Sequence, residues 1–173
     1  MAEEDSTEVL FREVQRFRQL WLWIILLSIT AVCIYAAVEQ LIRGKPFGNN
    51  PATDIYLIVI VIIFGLVFPL FFYYINLTTE VRNDGLYYRF FPLHCSFQRI
   101  TLGDLKAYEV RTYKPLREYG GWGIRRGAKG KAYNVKGNRG VQLKRTNGEL
   151  ILIGSQRPEE LARALELVLK RNT

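Results

Sequence analysis

The chain has 173 residues, 49% of them hydrophobic, a net charge of +8 and two cysteines. Two cysteines exclude a disulfide framework of the kind that stabilises small secreted proteins, and the length allows a small membrane part plus one domain of about 95 residues. The charge is local. Residues 105–145 hold twelve Lys or Arg against two acidic residues, a net +10, which leaves −2 for the rest of the chain.

The residues before Leu20 have the pattern of a short amphipathic helix. Asp5 and Glu8 have the spacing of a capping box, in which side-chain oxygens accept from the free N–H groups of the first turn. Apolar side chains then recur at i, i+4, i+7 and i+11, at Leu10, Val14, Phe17 and Trp21. We expect a lead-in helix continuous with the apolar segment that follows it. A separate helix lying on the membrane surface is the alternative.

Two long apolar segments follow, Leu20–Val38 with 19 residues and Ile55–Leu77 with 23, and neither contains Asp, Glu, Lys, Arg or His. At about 1.5 Å per residue, each is long enough as a helix to span the roughly 30 Å hydrocarbon core of a bilayer. We therefore predict a two-helix transmembrane hairpin with no ion or proton pathway, because it lacks ionisable groups. Pro69, with Gly65 four residues earlier, predicts a kink in the second helix rather than a break.

Aromatic and basic residues predict the orientation of this hairpin. Trp21 and Tyr74 mark the two ends that meet in one leaflet, where amphipathic rings favour the interface. The connecting residues 39–54 hold two basic residues, whereas the flanks outside the hairpin hold many more. The positive-inside bias therefore predicts a multi-pass protein of the plasma membrane with both termini in the cytoplasm.

The residues after the hairpin have the turn signals and alternation of short strands. Asn/Asp-Gly turn signals at residues 83–85 and 146–148 separate runs of β-forming residues. Strands are predicted over residues 78–82, 86–91, 95–100, 105–113, 122–125, 131–135, 141–145 and 149–153. Seven or eight short antiparallel strands are typical of a small barrel or sandwich.

A C-terminal helix completes the predicted architecture. Pro158 has the position of a first helical residue, and Leu161 and Leu165 belong to an apolar face that must pack on something. The predicted fold class is therefore α+β, with two domains. Residues 1–76 form the lead-in helix and the transmembrane hairpin, and residues 77–173 form an antiparallel β-barrel or sandwich that the helix caps.

A family resemblance rests on this second half. Its most specific stretch runs from Ile153 through Gly154 and Ser155 to the proline that opens the final helix. With the turn signals before it, this stretch resembles the pleckstrin-homology-like (bacterial PH) domains of prokaryotic membrane proteins, which often follow a two-helix hairpin. The resemblance covers residues 77–170 and implies a seven-stranded barrel capped by a helix, with a binding or assembly role. Phosphoinositide-binding relatives have a basic first hairpin loop, whereas residues 83–85 here are Asn-Asp-Gly, so an inositol-phosphate site is not expected.

The candidate binding residues are basic. Arg125, Arg126, Lys129 and Lys131 fall within seven residues and are interleaved with glycines, so cations and backbone N–H groups are both available to an anion. They predict contact with an anionic membrane surface or with a specific anionic ligand. A solvated face that only follows the positive-inside rule is the alternative. Trp122, among glycines, either packs at a barrel corner or stacks on a ligand.

No catalytic, metal or cofactor site is predicted. His94 has only Cys95 beside it, and the basic region lacks the paired carboxylates that acid–base catalysis needs. Nucleic acid is not expected as a partner of a membrane-tethered chain, although aromatic residues interleave with the cations.

We therefore expect a protein that is not an enzyme: a PH-like module displayed at the inner leaflet, binding anionic lipid headgroups or a membrane protein partner. The alternative is a structural or accessory subunit of a larger membrane complex, held by contacts between its helices and those of the complex.

Overall fold

The computed structural model of the chain describes residues 8–127 and 129–172, which form two compact units. The helical unit is Phe17–Ile75, and the β unit contains the described residues of 1–16 and of 76–173. The fold is α+β, with two apolar helices, two β-sheets and a C-terminal helix. The sequence predicted a single division at residue 76, so it missed the N-terminal part of the β unit.

The helical unit consists of two apolar helices, Leu20–Ile42 and Asp54–Tyr74. Both are long and apolar enough to cross a membrane, with 23 and 21 residues and mean hydropathies of 2.3 and 3.0 over an apolar window. The first helix extends beyond the predicted end, and its last turn, Val38–Ile42, is a π-helix. The second helix ends three residues before the predicted Leu77, because strand β2 begins at Asn76.

Contacts at both ends pair the two helices in antiparallel directions. Gln40 Nε2, near the end of the first helix, donates to Ala52 O at 2.7 Å and to Asp54 Oδ1 at 2.8 Å, at the start of the second. At the opposite ends, the rings of Phe17 and Phe72 lie 5.9 Å apart in an edge-on arrangement. The predicted hairpin is therefore present in the structure.

Pro69 is accommodated by a π-helical stretch over Val61–Val67 rather than by a break. In this stretch the N–H of Phe68 donates to the carbonyl five residues earlier. The next carbonyl in the series, that of Phe64, would need an N–H from Pro69, which proline lacks. This carbonyl accepts instead from Thr30 Oγ1 of the first helix at 3.3 Å. The carbonyl that lacks a backbone partner because of Pro69 thus forms a hydrogen bond between the two helices.

The first strand, β1, spans Val9–Arg16, where the sequence predicted a lead-in helix. The prediction was wrong because the buried side chains alternate along the segment, at Phe11, Glu13 and Gln15. Two of these three residues are polar, so the two-residue repeat is absent from the apolar pattern of the sequence. Asp5, which was predicted to cap the helix, lies outside the described residues.

The β unit has nine strands in the part of the chain that the structure describes, in two sheets of order β1-β2-β3-β4 and β5-β8-β9-β7-β6. The remaining elements are β2 Asn76–Arg82, β3 Gly85–Phe91, β4 Gln98–Thr101, a 3-10 turn Leu102–Asp104, β5 Leu105–Thr112, a short helix Pro115–Tyr119, β6 Gly123–Gly127, β7 Gly130–Asn134, β8 Arg139–Arg145 and β9 Leu150–Gly154. Strands β7 and β9 pair in parallel, which the all-antiparallel prediction missed. Within the described residues no strand pair joins the two sheets, so the predicted barrel stays a prediction.

The C-terminal helix, Pro158–Arg171, buries the apolar face that the sequence predicted. Leu161, Leu165 and Val168 are fully buried, and the helix contacts strands of both sheets. The core is therefore shared by the two sheets and this helix. Its other fully buried side chains include Leu77, Phe90, Val141, Leu143 and Ile153.

Leu165→Ala should lower the free energy of unfolding of the β unit by about 2–5 kcal/mol, because it removes a fully buried side chain and leaves a cavity. Leu167→Ala, on the same helix, should change it by only about 0.5 kcal/mol or less, since Leu167 is 54% exposed. Denaturant unfolding of the full chain in detergent micelles, followed by near-UV circular dichroism, measures both values. Equal effects from the two leucines would contradict the packing.

Candidate functional site

The four basic residues predicted as a cluster lie on the hairpin of β6 and β7 or in its turn, but they do not form one patch. Arg125 is the register partner of Ala132, and Arg126 is the partner of Lys131. Successive residues of a strand point to opposite faces, and directly paired residues share a face. Arg125 is therefore on one face of the hairpin, while Arg126 and Lys131 are on the other. Lys131 also forms an ion pair with Glu149 at 3.2 Å.

Lys129 belongs to a different group of charges, which we call the cationic cleft. Lys114, Arg117, Glu118 and Lys129 line a cleft of about 310 Å³. Three of the four are on or next to the short helix, and Lys129 comes from the turn between β6 and β7. The sequence placed Lys114 and Arg117 in the basic region but did not single them out.

The short helix is fixed in place by its two ends. Pro115 stands in its first turn, and Gly120 ends it with a φ of 72°, a left-handed conformation that glycine adopts without strain. Tyr119, its last residue, is buried in a cluster that also contains Tyr113, Ala132 and Leu152. The helix is thereby anchored against the second sheet, with its charged residues directed to the cleft.

A close backbone approach brings Lys129 to this helix. A Cβ atom at Gly127, at the end of β6, would lie 2.0 Å from the carbonyl oxygen of Glu118. Only glycine therefore fits at this position, and the hairpin contacts the helix directly. As a result Lys129 Nζ lies 3.6 Å from Glu118 Oε2.

Glu118 organises the charges of the cleft. Burial opposes ionisation of its carboxyl group, but the Lys114 N–H at 2.7 Å, a hydrogen bond from Arg111 and the charges of Arg111 and Lys129 outweigh this, so the pKa of Glu118 lies below its ordinary value. The side chains of Lys114 and Arg117 form no ion pair with any residue that the structure describes. With Arg111 included, four cations face one carboxylate, a net charge of +3. Such a site favours an anion.

Trp122 forms two hydrogen bonds with other segments of the β unit. Its indole Nε1 donates to the carbonyl of Gly137 at 2.9 Å, and its own carbonyl accepts from Arg125 Nε at 3.0 Å. The indole N–H thus ties the segment before β6 to the segment before β8. Stacking of the ring on a ligand stays a prediction.

A second basic surface, which the sequence reading missed, lies on the outer face of the first sheet; we call it the arginine–aromatic face. Arg82 lies over the rings of Tyr87 and Phe97, at 4.4 and 5.5 Å from their centroids. Arg89 lies over Phe97 at 4.7 Å, and Arg99 over Tyr87 at 5.7 Å. Phe97 comes from the turn between β3 and β4, so strand alternation alone did not place it there.

Two carboxylates neutralise part of this face. Glu80, which is buried, pairs with Arg82 at 2.6 Å and also with Arg12. Asp84 pairs with Arg99 at 2.9 Å. Arg89 forms no ion pair with any described residue. Its guanidinium group is positioned instead by cation–π contacts with aromatic rings.

A family profile described as "Family of unknown function (DUF6141)" matches residues 2–170. The chain belongs to this family. No curated protein matches the chain, and no solved structure matches it.

The DUF6141 match spans both the helical unit and the β unit, so the two are parts of one family architecture. The description assigns neither a fold nor an activity, and the resemblance to pleckstrin-homology-like domains therefore stays a prediction.

His94 lies against the rings of Tyr88 and Tyr133, at 6.5 and 5.7 Å. Among the described residues no three His, Cys, Asp or Glu side chains are grouped so that they could hold a metal ion.

Glu118→Gln should destabilise the β unit by about 1 kcal/mol at neutral pH, because it weakens the charge-assisted bonds from Arg111 and Lys129. The pKa of Glu118 is lowered in the folded state, so its contribution is present above the ordinary carboxyl pKa and is lost as the pH falls through the folded value. Thermal unfolding of both proteins from pH 7 to pH 3 should therefore converge at low pH. Glu160→Gln, which alters an exposed pair with Arg157, is the control and should have little effect. A Glu118→Gln difference independent of pH would refute this role.

Proposed function

We propose that the chain is a non-catalytic membrane protein that displays its β unit on the cytoplasmic side of the plasma membrane, where the cationic cleft binds an anionic lipid headgroup. The exposure of the two apolar helices carries the proposal. Only 17% and 6% of their apolar windows are buried within the chain, whereas a core helix of a soluble protein is mostly buried. Apolar surface left in water costs about 25 cal/mol per Å², and a bilayer removes that cost.

The path of the chain supports an even number of membrane crossings. Strands β1 and β2 flank the helical unit and pair with each other, and Arg16 is the register partner of Asn76. The chain therefore leaves the β unit and returns to it at one place, as a hairpin of two antiparallel helices requires. The basic residues of the β unit favour the cytoplasmic side.

The composition of the cationic cleft supports an anionic headgroup as the ligand. Lys114 and Arg117 have no carboxylate partner among the described residues, and the cleft of about 310 Å³ accommodates a phosphate group. Near an anionic leaflet each such cation contributes about 1 kcal/mol at physiological salt, and a short tether keeps the β unit at that leaflet.

Membranes of cells that produce the chain should retain it after extraction with alkaline carbonate, because two apolar helices hold it in the bilayer. Protease added to right-side-out vesicles should leave the β unit intact, and protease added to inverted vesicles should cleave it. A β-unit epitope followed by immunoblot reports both results. Release by carbonate, or cleavage from the outside, would overturn the proposed membrane topology.

Lipid binding at the cationic cleft is tested on the full chain in detergent micelles. Short-chain phosphatidylglycerol should raise the midpoint of thermal unfolding above the value in phosphatidylcholine, because a ligand that binds only the folded state stabilises it. Lys114→Glu with Arg117→Glu should remove most of this rise, since both cations line the cleft.

The matched control reverses two other cations, Lys136→Glu with Lys144→Glu, which are exposed and have no ion pair among the described residues. This variant has the same net charge and should keep the stabilisation by phosphatidylglycerol. An equal rise with inorganic phosphate alone would assign the cleft to a free anion. No rise with either ligand would favour the alternative role, in which the chain is a subunit held in a larger membrane complex by its helices.

A further inference from the structure

The turn between β3 and β4 exposes apolar side chains at one end of the first sheet. Phe91, the last residue of β3, is 38% exposed, and Leu93, in the turn, is 56% exposed. Cys95, further along the turn, is also exposed and is a free thiol. Exposed apolar side chains next to each other on a turn are typical of a surface that contacts lipid or another molecule.

This turn lies at the end of the sheet from which the chain passes into both apolar helices. Phe91 is the register partner of Asn76, and Asn76 is also the partner of Arg16. One residue, Ile75, separates Asn76 from the second apolar helix, and three residues separate Arg16 from the first. Covalent connection alone therefore keeps this end of the sheet close to the ends of the helices.

Unneutralised arginines accompany the apolar side chains. Arg16 and Phe91 share the outer face of the sheet through Asn76, and Arg89 lies on the same face two residues from Phe91. Neither arginine forms an ion pair with a residue that the structure describes. Arg89 is held over the rings of Phe91 and Phe97, at 5.9 and 4.7 Å. The surface thus combines an apolar tip with fixed positive charge.

We propose that the β3–β4 turn docks on the membrane surface, with Phe91 and Leu93 entering the boundary between headgroups and acyl chains. Arg89 and Arg16 then face the phosphates of anionic headgroups. Lipid is favoured over a protein because two apolar side chains are too few for a stable protein interface, and the helices hold the turn at a bilayer. The inference rests on the proposed membrane insertion, but it concerns a surface separate from the cationic cleft. Docking would fix the orientation of the β unit on the leaflet.

The exposed thiol of Cys95 allows a direct measurement on the full chain. After Cys33→Ala, Cys95 is the single cysteine and takes an environment-sensitive fluorophore. The labelled protein is reconstituted into vesicles of phosphatidylcholine and phosphatidylglycerol that contain lipids with a nitroxide near the headgroup. These lipids should quench the fluorophore at Cys95 at least about twofold more than the same fluorophore attached to a solution-facing part of the β unit.

The reference position is Val9, introduced as Val9→Cys in a chain with Cys33→Ala and Cys95→Ser. Val9 is exposed and lies on the same sheet. It is the first residue of β1, whereas Arg16 is the last, so the two residues are about 23 Å apart along the strand. Its fluorophore should be quenched by iodide in solution rather than by the nitroxide lipids. Equal lipid quenching at the two positions would overturn the proposed docking.

Leu93→Asp tests the contact itself, because a charge does not enter the acyl boundary at low cost. It should reduce lipid quenching of the Cys95 fluorophore to the Val9 level, whereas Leu167→Asp, at an equally exposed leucine of the C-terminal helix, should leave it unchanged. Carbonate extraction of the same vesicles separates the two proposals. Retained protein without lipid quenching refutes the docking alone, and released protein refutes the membrane insertion on which it rests.

Discussion

A buried carboxyl group on β1 joins the two sheets of the β unit. Glu13 accepts from Ser155 Oγ at 2.6 Å and from the Gln156 N–H at 2.9 Å, and Gln15 Nε2 donates to Gly154 O at 2.7 Å. These partners lie at and just after the end of β9, in the other sheet. A buried polar group is costly unless it is hydrogen-bonded, so these bonds fix the register of β1. Since β1 leads into the first apolar helix, they also fix where the chain leaves the β unit.

The electrostatics of the cationic cleft depend on a single acidic residue in the same way. Without Glu118, the side chains of Arg111 and Lys129 would repel each other across a short distance. With it, two cations are held in fixed positions while Lys114 and Arg117 keep their charge available. One carboxylate thus gives the neighbouring cations defined positions, although the net charge of the site stays positive. The arginine–aromatic face reaches a similar order through cation–π contacts.

The parts of the fold that depend on local sequence were predictable. The apolar helices follow from two runs without ionisable residues, and the C-terminal helix follows from Pro158 and its apolar face. The turn signals at residues 83–85 and 146–148 lie at real hairpins. In each case the physical cause lies within the segment itself.

The parts that depend on distant contacts were not predictable. Strand β1 was missed because Glu13 is buried by partners more than 140 residues away. The parallel pairing of β7 and β9 has no local signal. The positions of the four basic residues were not predictable either, because alternation along β6 separates Arg125 from Arg126 and a close backbone contact at Gly127 brings Lys129 to the short helix. The sequence shows that this region is basic, but it does not show on which face of the hairpin each basic side chain lies.

The insertion of the helical unit between β1 and β2 has a consequence for biosynthesis. Arg16 is synthesised about 60 residues before its register partner Asn76, and the residues of both apolar helices are synthesised between them. The N-terminal segment therefore has no neighbouring strand β2 until both apolar helices have been synthesised. Because closing so large a loop carries an entropic cost, the pairing of β1 with β2 is a late event in the assembly of the β unit.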